Sequence, residues 1–354
     1  MRILMLVNWK IEYISKRPDD KQPPDYYIYG DKYWFFRYFD QPVDVDVIDI
    51  HSCKLIENFE KNNLRFYIIQ TFISLLKIKN YDLILSHGMQ SGIVLALIRR
   101  IFRTRAKHVV FDIGSFNSAA EKGAALKLME FASKSIDGVI YHTSSQINYY
   151  RRFFPWLLNK SEFIRFGADM EFFGIHALEK SKDSNSYILC VGYSKRDWDT
   201  LVQAYQLLQT DIKLRLVGHI NESYKNIKGI EQLPFIPVNE LKSQIYNAQF
   251  CVLPLESFNY SYGQMTLLQQ MSFCKLVVAA RVPSISDYVD DGKTALLYEA
   301  GNIYDCAKVI NFAIRNKEIR ERIGNSAYMF LKDKCNEKIM AKEVEKILKT
   351  TLEG

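Results

Sequence analysis

The stretch YGQMTLLQQM, residues 262 to 271, sets a glycine at the entry of an apolar helix that carries two adjacent glutamines. Gly263 permits close backbone approach. The N–H groups of Gln264 and Met265, together with the positive helix end, form an anion site suited to a phosphate. Other chemistries find less support. The six cysteines, Cys53, Cys190, Cys251, Cys274, Cys306 and Cys335, are widely spaced and show no CxxC pair, so neither a zinc site nor a redox motif is indicated. Most sit in apolar runs and read as buried reduced thiols. A nicotinamide-dependent oxidoreductase needs GxGxxG after its first strand, and RILMLVNWKIEY contains no glycine.

The residues that could act must be positioned by strands and helices. RILMLVN, VDVDVIDI, YDLILSHG, HVVFDIG and DGVIYHT are short β-rich runs separated by room for a helix. That alternation predicts a parallel sheet covered on both faces. The pattern starts again after the polar stretch EKSKDSNS, with YILCVGYS, IKLRLVGH, FCVLPL, KLVVAA and ALLY. The chain therefore reads as two α/β domains, residues 1–168 and 169–335, with a final amphipathic helix over 336–354 and a hinge at FIRFGADMEFFG and the charged linker after it. Ligands of open parallel sheets bind outside the carboxyl ends of the strands, so two such domains facing each other would form a cleft for two substrates. At the strand ends of the first domain the polar candidates are Gly30, His87, Asp112, Ser115 and His142. Residues 14–41, with Pro23, Pro24 and clustered aromatics, form one long irregular segment, and loops of that length tend to be functional.

Composition bounds the answer. A chain of 354 residues, 48% hydrophobic and 25% charged, can bury two cores and need not be disordered. The net charge of +7 suits an anionic partner. A nucleic-acid binder is disfavoured, because the basic residues are scattered and no recognised module is present. No run reaches the roughly 18 apolar residues of a spanning helix; FYIIQTFISLLKIK is interrupted by Gln70 and Lys77. No secretory signal is read at MRILMLVNWK. The expected location is the cytoplasm, including peripheral attachment to the inner face of the cell membrane. YYRRFFPWLLNK, residues 149–160, interleaves Arg151 and Arg152 with Phe153, Phe154, Trp156, Leu157 and Leu158, and RRIFRTRAK, residues 99–107, adds further positive charge. Both suit an anionic bilayer surface.

The ordered set CVLPLE, YGQMTLLQQM, FCKLVVAA and PSISDYVDDGKTALLY resembles the retaining GT-B glycosyltransferases of family four, the group 1 glycosyl transferases. In that family a strand ending in Pro leads to a Glu-containing loop, a Gly at a helix start, an LLEAMA-like turn and a GKPVVA-like strand. FIRFGADMEFF is similar to the family's hinge motif, with Gly167 and Asp169 in register, and the N-terminal half is the weaker match. The resemblance implies a GT-B fold and transfer of a sugar from a nucleotide diphosphate donor, UDP or GDP type, to a hydroxyl of a glycan or lipid-linked acceptor, with no metal and the final helix crossing back onto the first domain.

The resemblance also implies roles. The family places one Glu near the donor sugar and a second, eight residues on, against the ribose. The second falls on Gln269 and the first on Ser261, so both carboxylates are absent here. An amide can still accept from and donate to a ribose diol, and Glu256 is the nearest acid to the sugar. The family's diphosphate-neutralising Arg and Lys align with Tyr193 and Arg196, which makes Lys195 or Arg196 the cation. Asp112 stands nearest the family's His and would orient an acceptor hydroxyl or take its proton. Gly30 is assigned to the ligand-binding set of the first domain. No carboxylate pair for double displacement is evident, and the implied route is front-face substitution with retention. The competing expectation is a degenerate relative, with Gln269 and Gln270 on an exposed helix face, acting as a nucleotide-sugar-binding or partner-stabilising subunit.

Overall fold

The computed structural model describes residues 1–354 apart from Arg103, Ser115, 117–120, 175–183, Asn185, Tyr193 and Asn259. Two compact units divide the chain. One comprises residues 1–165, 259–261 and 338–354, the other 166–258 and 262–337.

The first unit is built on β1 (Arg2–Leu6), β2 (Glu12–Ile14), β3 (Tyr26–Ile28), β4 (Asp44–Ile48), α1 (Lys54–Phe59), α2 (Ile68–Lys77), β5 (Leu83–His87), α3 (Met89–Ile101), β6 (Lys107–Asp112), α4 (Ala124–Ser133), β7 (Gly138–Tyr141), α5 (Gln146–Phe153) and β8 (Ser161–Phe163). Its six-stranded sheet runs β4-β1-β5-β6-β7-β8, all parallel. Central strands β5 and β7 are buried along their whole length, as a sheet covered on both faces requires. The chain leaves β1 for β4 on one side and continues from β4 to β5 on the other, so the order reverses between β1 and β5. The long segment after β1 holds the two-stranded ribbon β2–β3 and a buried aromatic turn, Trp34, Phe35 and Phe36.

The second unit repeats the plan with β9 (Tyr187–Val191), α6 (Trp198–Gln206), β10 (Lys213–Val217), β11 (Ile230–Leu233), α7 (Val238–Asn247), β12 (Cys251–Leu253), α8 (Gln264–Ser272), β13 (Val277–Arg281), β14 (Leu296–Glu299), α9 (Ile303–Arg315) and α10 (Lys317–Lys334). Its sheet order is β11-β10-β9-β12-β13-β14, again parallel, with the reversal between β9 and β12. Helix α11 (Glu337–Glu353) belongs to the first unit from Lys338 onward. There its Glu345 accepts the N–H groups of Asp40 at 2.9 Å and Gln41 at 3.0 Å.

All ten anticipated strands form. The structure adds β2, β3, β8 and β11. Edge strands β8 and β11 contain no fully buried residue, so their sequences SEF and IEQL carry no core pattern to read. The motif glycine Gly167 has a steric reason: a Cβ there would lie 2.5 Å from the Asn336 carbonyl oxygen. Beside it Asp169 accepts from the N–H groups of Glu171 at 3.0 Å and Phe172 at 3.1 Å. The linker read as part of the hinge lies largely outside the described residues.

Candidate functional site

In the second unit the order reversal brings together the segments after β9 and β12. Arg196 and Leu255 form an antiparallel bridge, the Asp197 N–H donates to the Pro254 carbonyl at 2.8 Å, and the Glu256 N–H to Lys195 at 3.4 Å. Such a crevice is where open α/β sheets take ligands. Helix α8 begins beside it. Its start is fixed from within, because Leu267, Leu268 and Met271 are fully buried, each contributing about 2 kcal/mol of burial. Its N-cap Gly263 adopts a left-handed conformation with φ +83°, supplies no capping side chain, and stands so close to Leu255 that a Cβ would meet that side chain at 2.8 Å.

The two candidate cations differ. Arg196 is only 9% exposed, and its guanidinium donates to the Val191 and Ser194 carbonyls and to the Thr266 hydroxyl, each at 3.1 Å. It ties the end of β9 to the first turn of α8. Lys195 is exposed, with its ammonium 4.2 Å from the centre of the Phe258 ring. Glu256 is also exposed, and its carbonyl accepts the Tyr262 hydroxyl. Gln264 is buried and donates to the Ser284 carbonyl, whereas Met265 is 48% exposed.

Gln269 is 7% exposed and Gln270 fully buried. The expected exposed helix face is therefore not what the fold builds: the two glutamines point inward from a helix flanked by core residues. Both amide atoms of Gln270 are buried with no hydrogen-bond partner. Tyr193 lies outside the described residues.

In the first unit His87, Asp112 and His142 do stand at strand ends, after or within β5, β6 and β7. Asp112 is fully buried. Its carboxylate accepts the N–H groups of Gly114 at 2.9 Å and Phe116 at 3.4 Å, the Gln146 amide at 3.2 Å, and the Tyr150 hydroxyl. An acceptor hydroxyl could reach it only by displacing these groups, so the role of orienting substrate does not fit this surrounding. Asp112 shapes the turn after β6 instead. His142 is buried and donates from Nδ1 to the Ile164 carbonyl at 2.7 Å; burial pulls its pKa down to about 4. His87 packs edge-on against Trp9 at 4.6 Å. Burial, then the nearby His142, lowers the His87 pKa to about 3, and its Nδ1 has no hydrogen-bond partner. Gly30 sits in an exposed turn after ribbon strand β3, not at an end of the six-stranded sheet. Ser115 lies outside the described residues.

Two groups escaped the sequence reading. His219 follows β10 and stacks on Trp198 at 4.7 Å with its buried Nε2 unpartnered. Its signal was a strand ending in Gly-His. Asn8 and Gln90, far apart in sequence, meet at 3.0 Å, and nothing local could announce that pair. The expected membrane patch is partly taken up by packing. Within residues 149–160, Tyr150, Phe154 and Leu157 are fully buried, Phe153 and Trp156 are half-buried against the same core, and exposed Arg152 is paired with Glu121. Among the described residues no three His, Cys, Asp or Glu side chains gather to hold a metal ion, and no helix is long and apolar enough to cross a membrane.

Two parallel, doubly wound units of this kind define the GT-B fold, and solved structures agree. Anabaena HepE in complex with UDP and glucose aligns with a TM-score of 0.70 at 14% identity, covering 99% of this chain and 100% of that one. Sucrose-phosphate synthase of Thermosynechococcus elongatus aligns at 0.71 and 14% identity, covering 99% of each. Residues 185–316 match the family described as glycosyl transferases group 1. An uncharacterized glycosyltransferase of Methanocaldococcus jannaschii is 28% identical over 147 residues, 39% of this chain and 41% of the relative. A sulfoquinovosyl transferase of Arabidopsis thaliana is 32% identical over 92 residues, 25% of this chain and 18% of the relative. The chain thus spans less than half the length of the curated relatives it matches.

Proposed function

We propose that this chain is a retaining glycosyltransferase that moves a sugar from a nucleoside diphosphate sugar to a hydroxyl of a glycan or lipid-linked acceptor. The observation that carries the reading is the crevice of the second unit at the order reversal, where the loop of exposed Lys195 is bridged to Leu255 and tied through Arg196 to the first turn of α8 behind its left-handed Gly263. The group 1 match over the same residues supports it, as does the similar fold of HepE, whose structure contains UDP and glucose.

In this reading the diphosphate lies at the positive end of α8, Lys195 neutralises it, Gln269 holds the ribose diol and Glu256 faces the sugar. Arg196 acts by holding the Lys195 loop against α8. The bond from the anomeric carbon to the leaving phosphate oxygen breaks, and its electron pair departs with the diphosphate. The acceptor oxygen bonds to the same face, and its proton passes to the departing phosphate. The protein contributes positioning and electrostatics, and no metal is assigned a part.

Thermal unfolding with UDP, GDP, ADP and dTDP, each with and without EDTA, tests this. A shift of several degrees for one base, unchanged by EDTA, is expected. No shift with any of them would sink the transferase reading in favour of a degenerate, partner-stabilising relative, which the absence of both motif glutamates favours.

We also propose an anionic membrane surface as partner, with α2, α3 and α4 as the face that meets it. Helix α3 packs beside both neighbours. Large apolar side chains are exposed along them: Phe72, Leu76 at 87%, Ile101, Phe102 at 66%, Leu128 and Phe131. Arg100 lies over the Phe131 ring at 5.6 Å. Apolar residues that insert, beside cations that attract, are what an anionic bilayer selects.

A further inference from the structure

Helix α9 carries two faces. Cys306, Ala307, Ile310 and Ala313 are buried where the helix packs on β14. Lys308, Asn311, Phe312 and Arg315 recur at the spacing that puts them together on another face, and Lys308, Phe312 and Arg315 are exposed. Between that face and the start of β14 runs a groove of about 460 Å³, floored by Leu296, Leu297, Val309 and Phe312. Tyr304, 78% exposed, continues the same face toward the helix start. The strands of this sheet are parallel, so the groove lies at their amino ends, whereas the crevice assigned to the nucleotide lies at the carboxyl ends of β9 and β12.

The charge of the groove is one-sided. Neither Lys308 nor Arg315 has an ion-pair partner among the described residues. The acid beside them, Asp291, is already engaged: one carboxylate oxygen accepts from Arg281 and the other from the Leu297 N–H at 2.9 Å. Three of the last four carbonyls of α9 are also occupied. Arg320 donates to those of Ala313 and Ile314, and the Asn316 amide to that of Phe312 at 2.7 Å, which blunts the repulsion an anion beside Arg315 would meet.

Lys308 and Arg315 stand about 10 Å apart along the helix, with the apolar floor between them. Their complement is an extended segment that reads acid, two apolar residues, acid. Polyproline II backbone advances about 9 Å in three residues and returns to the same face, so both acids meet a cation and an intervening apolar side chain is left to enter the floor. Addition of a further strand to the sheet is closed off, because the N–H groups of Leu297 and Glu299 in edge strand β14 are taken by Asp291 and Asp305. This chain holds the pattern at 46–49 and 287–290, where Ile48 and Tyr288 are buried, so neither stretch is available as the ligand.

We propose that the groove between α9 and the start of β14 docks an acidic segment of a partner protein, in which two carboxylates three residues apart pair with Lys308 and Arg315 and an apolar residue between them fills the floor. This docking does not depend on sugar transfer.

Isothermal titration of the full chain at about 50 mM salt tests it. The probes are acetylated, amidated hexapeptides of the pattern glycine–glutamate–X–X–glutamate–glycine, with leucine, phenylalanine or valine at X, and the matching glutamine and lysine peptides as controls. At least one glutamate peptide is expected to bind with a Kd below about 1 mM, several-fold more weakly at about 500 mM salt, while the controls do not bind. Lys308→Gln and Arg315→Gln should each weaken binding about fivefold, the most that an exposed ion pair contributes, with the melting temperature unchanged. Phe312→Ala is the uncharged second variant and should weaken it as much. Lys308→Glu combined with Arg315→Glu should move the preference to the lysine peptides. No binding by any glutamate peptide, equal binding by the glutamine peptides, or binding indifferent to the charge reversal overturns the proposal.

Discussion

Lys195 and Arg196 are neighbours with the same charge and opposite circumstances. Arg196 gives its donors to two carbonyls and the Thr266 hydroxyl, so Arg196→Ala removes three bonds from a nearly buried group. A loss of about 2–3 kcal/mol of stability is expected in nucleotide-free protein, read as a lowered denaturation midpoint. Arg196→Lys should not restore it, because an ammonium cannot span three acceptors in a fixed fork. Lys195→Ala removes an exposed charge and should leave stability within about 0.5 kcal/mol, while weakening nucleoside diphosphate binding about tenfold. Isothermal titration of both variants separates the roles. An intact affinity in Lys195→Ala would transfer the phosphate contact to Arg196.

Helix α8 shows how an element can be anchored at one side and offered at one end. Its apolar residues enter the core and its start carries a glycine in the left-handed region. Gly263→Ala should cost about 1–2 kcal/mol from that backbone alone, with the Leu255 contact added, and the nucleotide-induced thermal shift should shrink with it. The outer face of α2 to α4 makes a different prediction. Leu76→Ser with Phe102→Ser replaces exposed side chains, so stability should hold. Cosedimentation with anionic vesicles at low salt should fall several-fold, and none is expected with zwitterionic vesicles. If the unsubstituted protein stays in the supernatant with anionic vesicles, the membrane assignment is wrong.

At the scale of the molecule, the first unit carries an acid sensitivity written by its buried histidines. His87 and His142 have pKa values lowered by burial to about 3 and about 4, and His108 is pushed well below the ordinary value of 6.5. A group whose charged form is penalised in the fold binds its proton in the unfolded chain first. Stability is therefore full above about pH 6.5 and falls as pH drops toward the folded values, by roughly 1.4 kcal/mol per pH unit for each histidine. Urea midpoints between pH 7.5 and pH 5 should show this. His142→Gln should lower the slope by about one proton. A pH-independent midpoint across that window would contradict the burial of all three.

The sequence by itself determined the layout. Runs such as LIL in β5 and YILCV in β9 are apolar without alternation, and only a strand buried on both faces needs that, so their number and spacing announced two parallel sheets. The glycine before QMTLLQQM and the Gly167–Asp169 motif were legible for the same local reason, since a left-handed turn or a close backbone approach restricts which residue can stand there. What tertiary structure alone decided was which polar groups are free to act. Asp112 and Arg196 have the right chemistry and the right place in the chain, yet contacts from Tyr150, Gln146 and Thr266, distant in sequence, commit them to the fold. The glutamines of α8 turn inward, and Tyr150 and Phe154 of 149–160 go to the core, because packing assigns faces that composition leaves open. Asn8 and Gln90 meet only because β1 and β5 are neighbours in the sheet, and hydrogen bonding between residues so far apart in the chain leaves no mark on either local sequence.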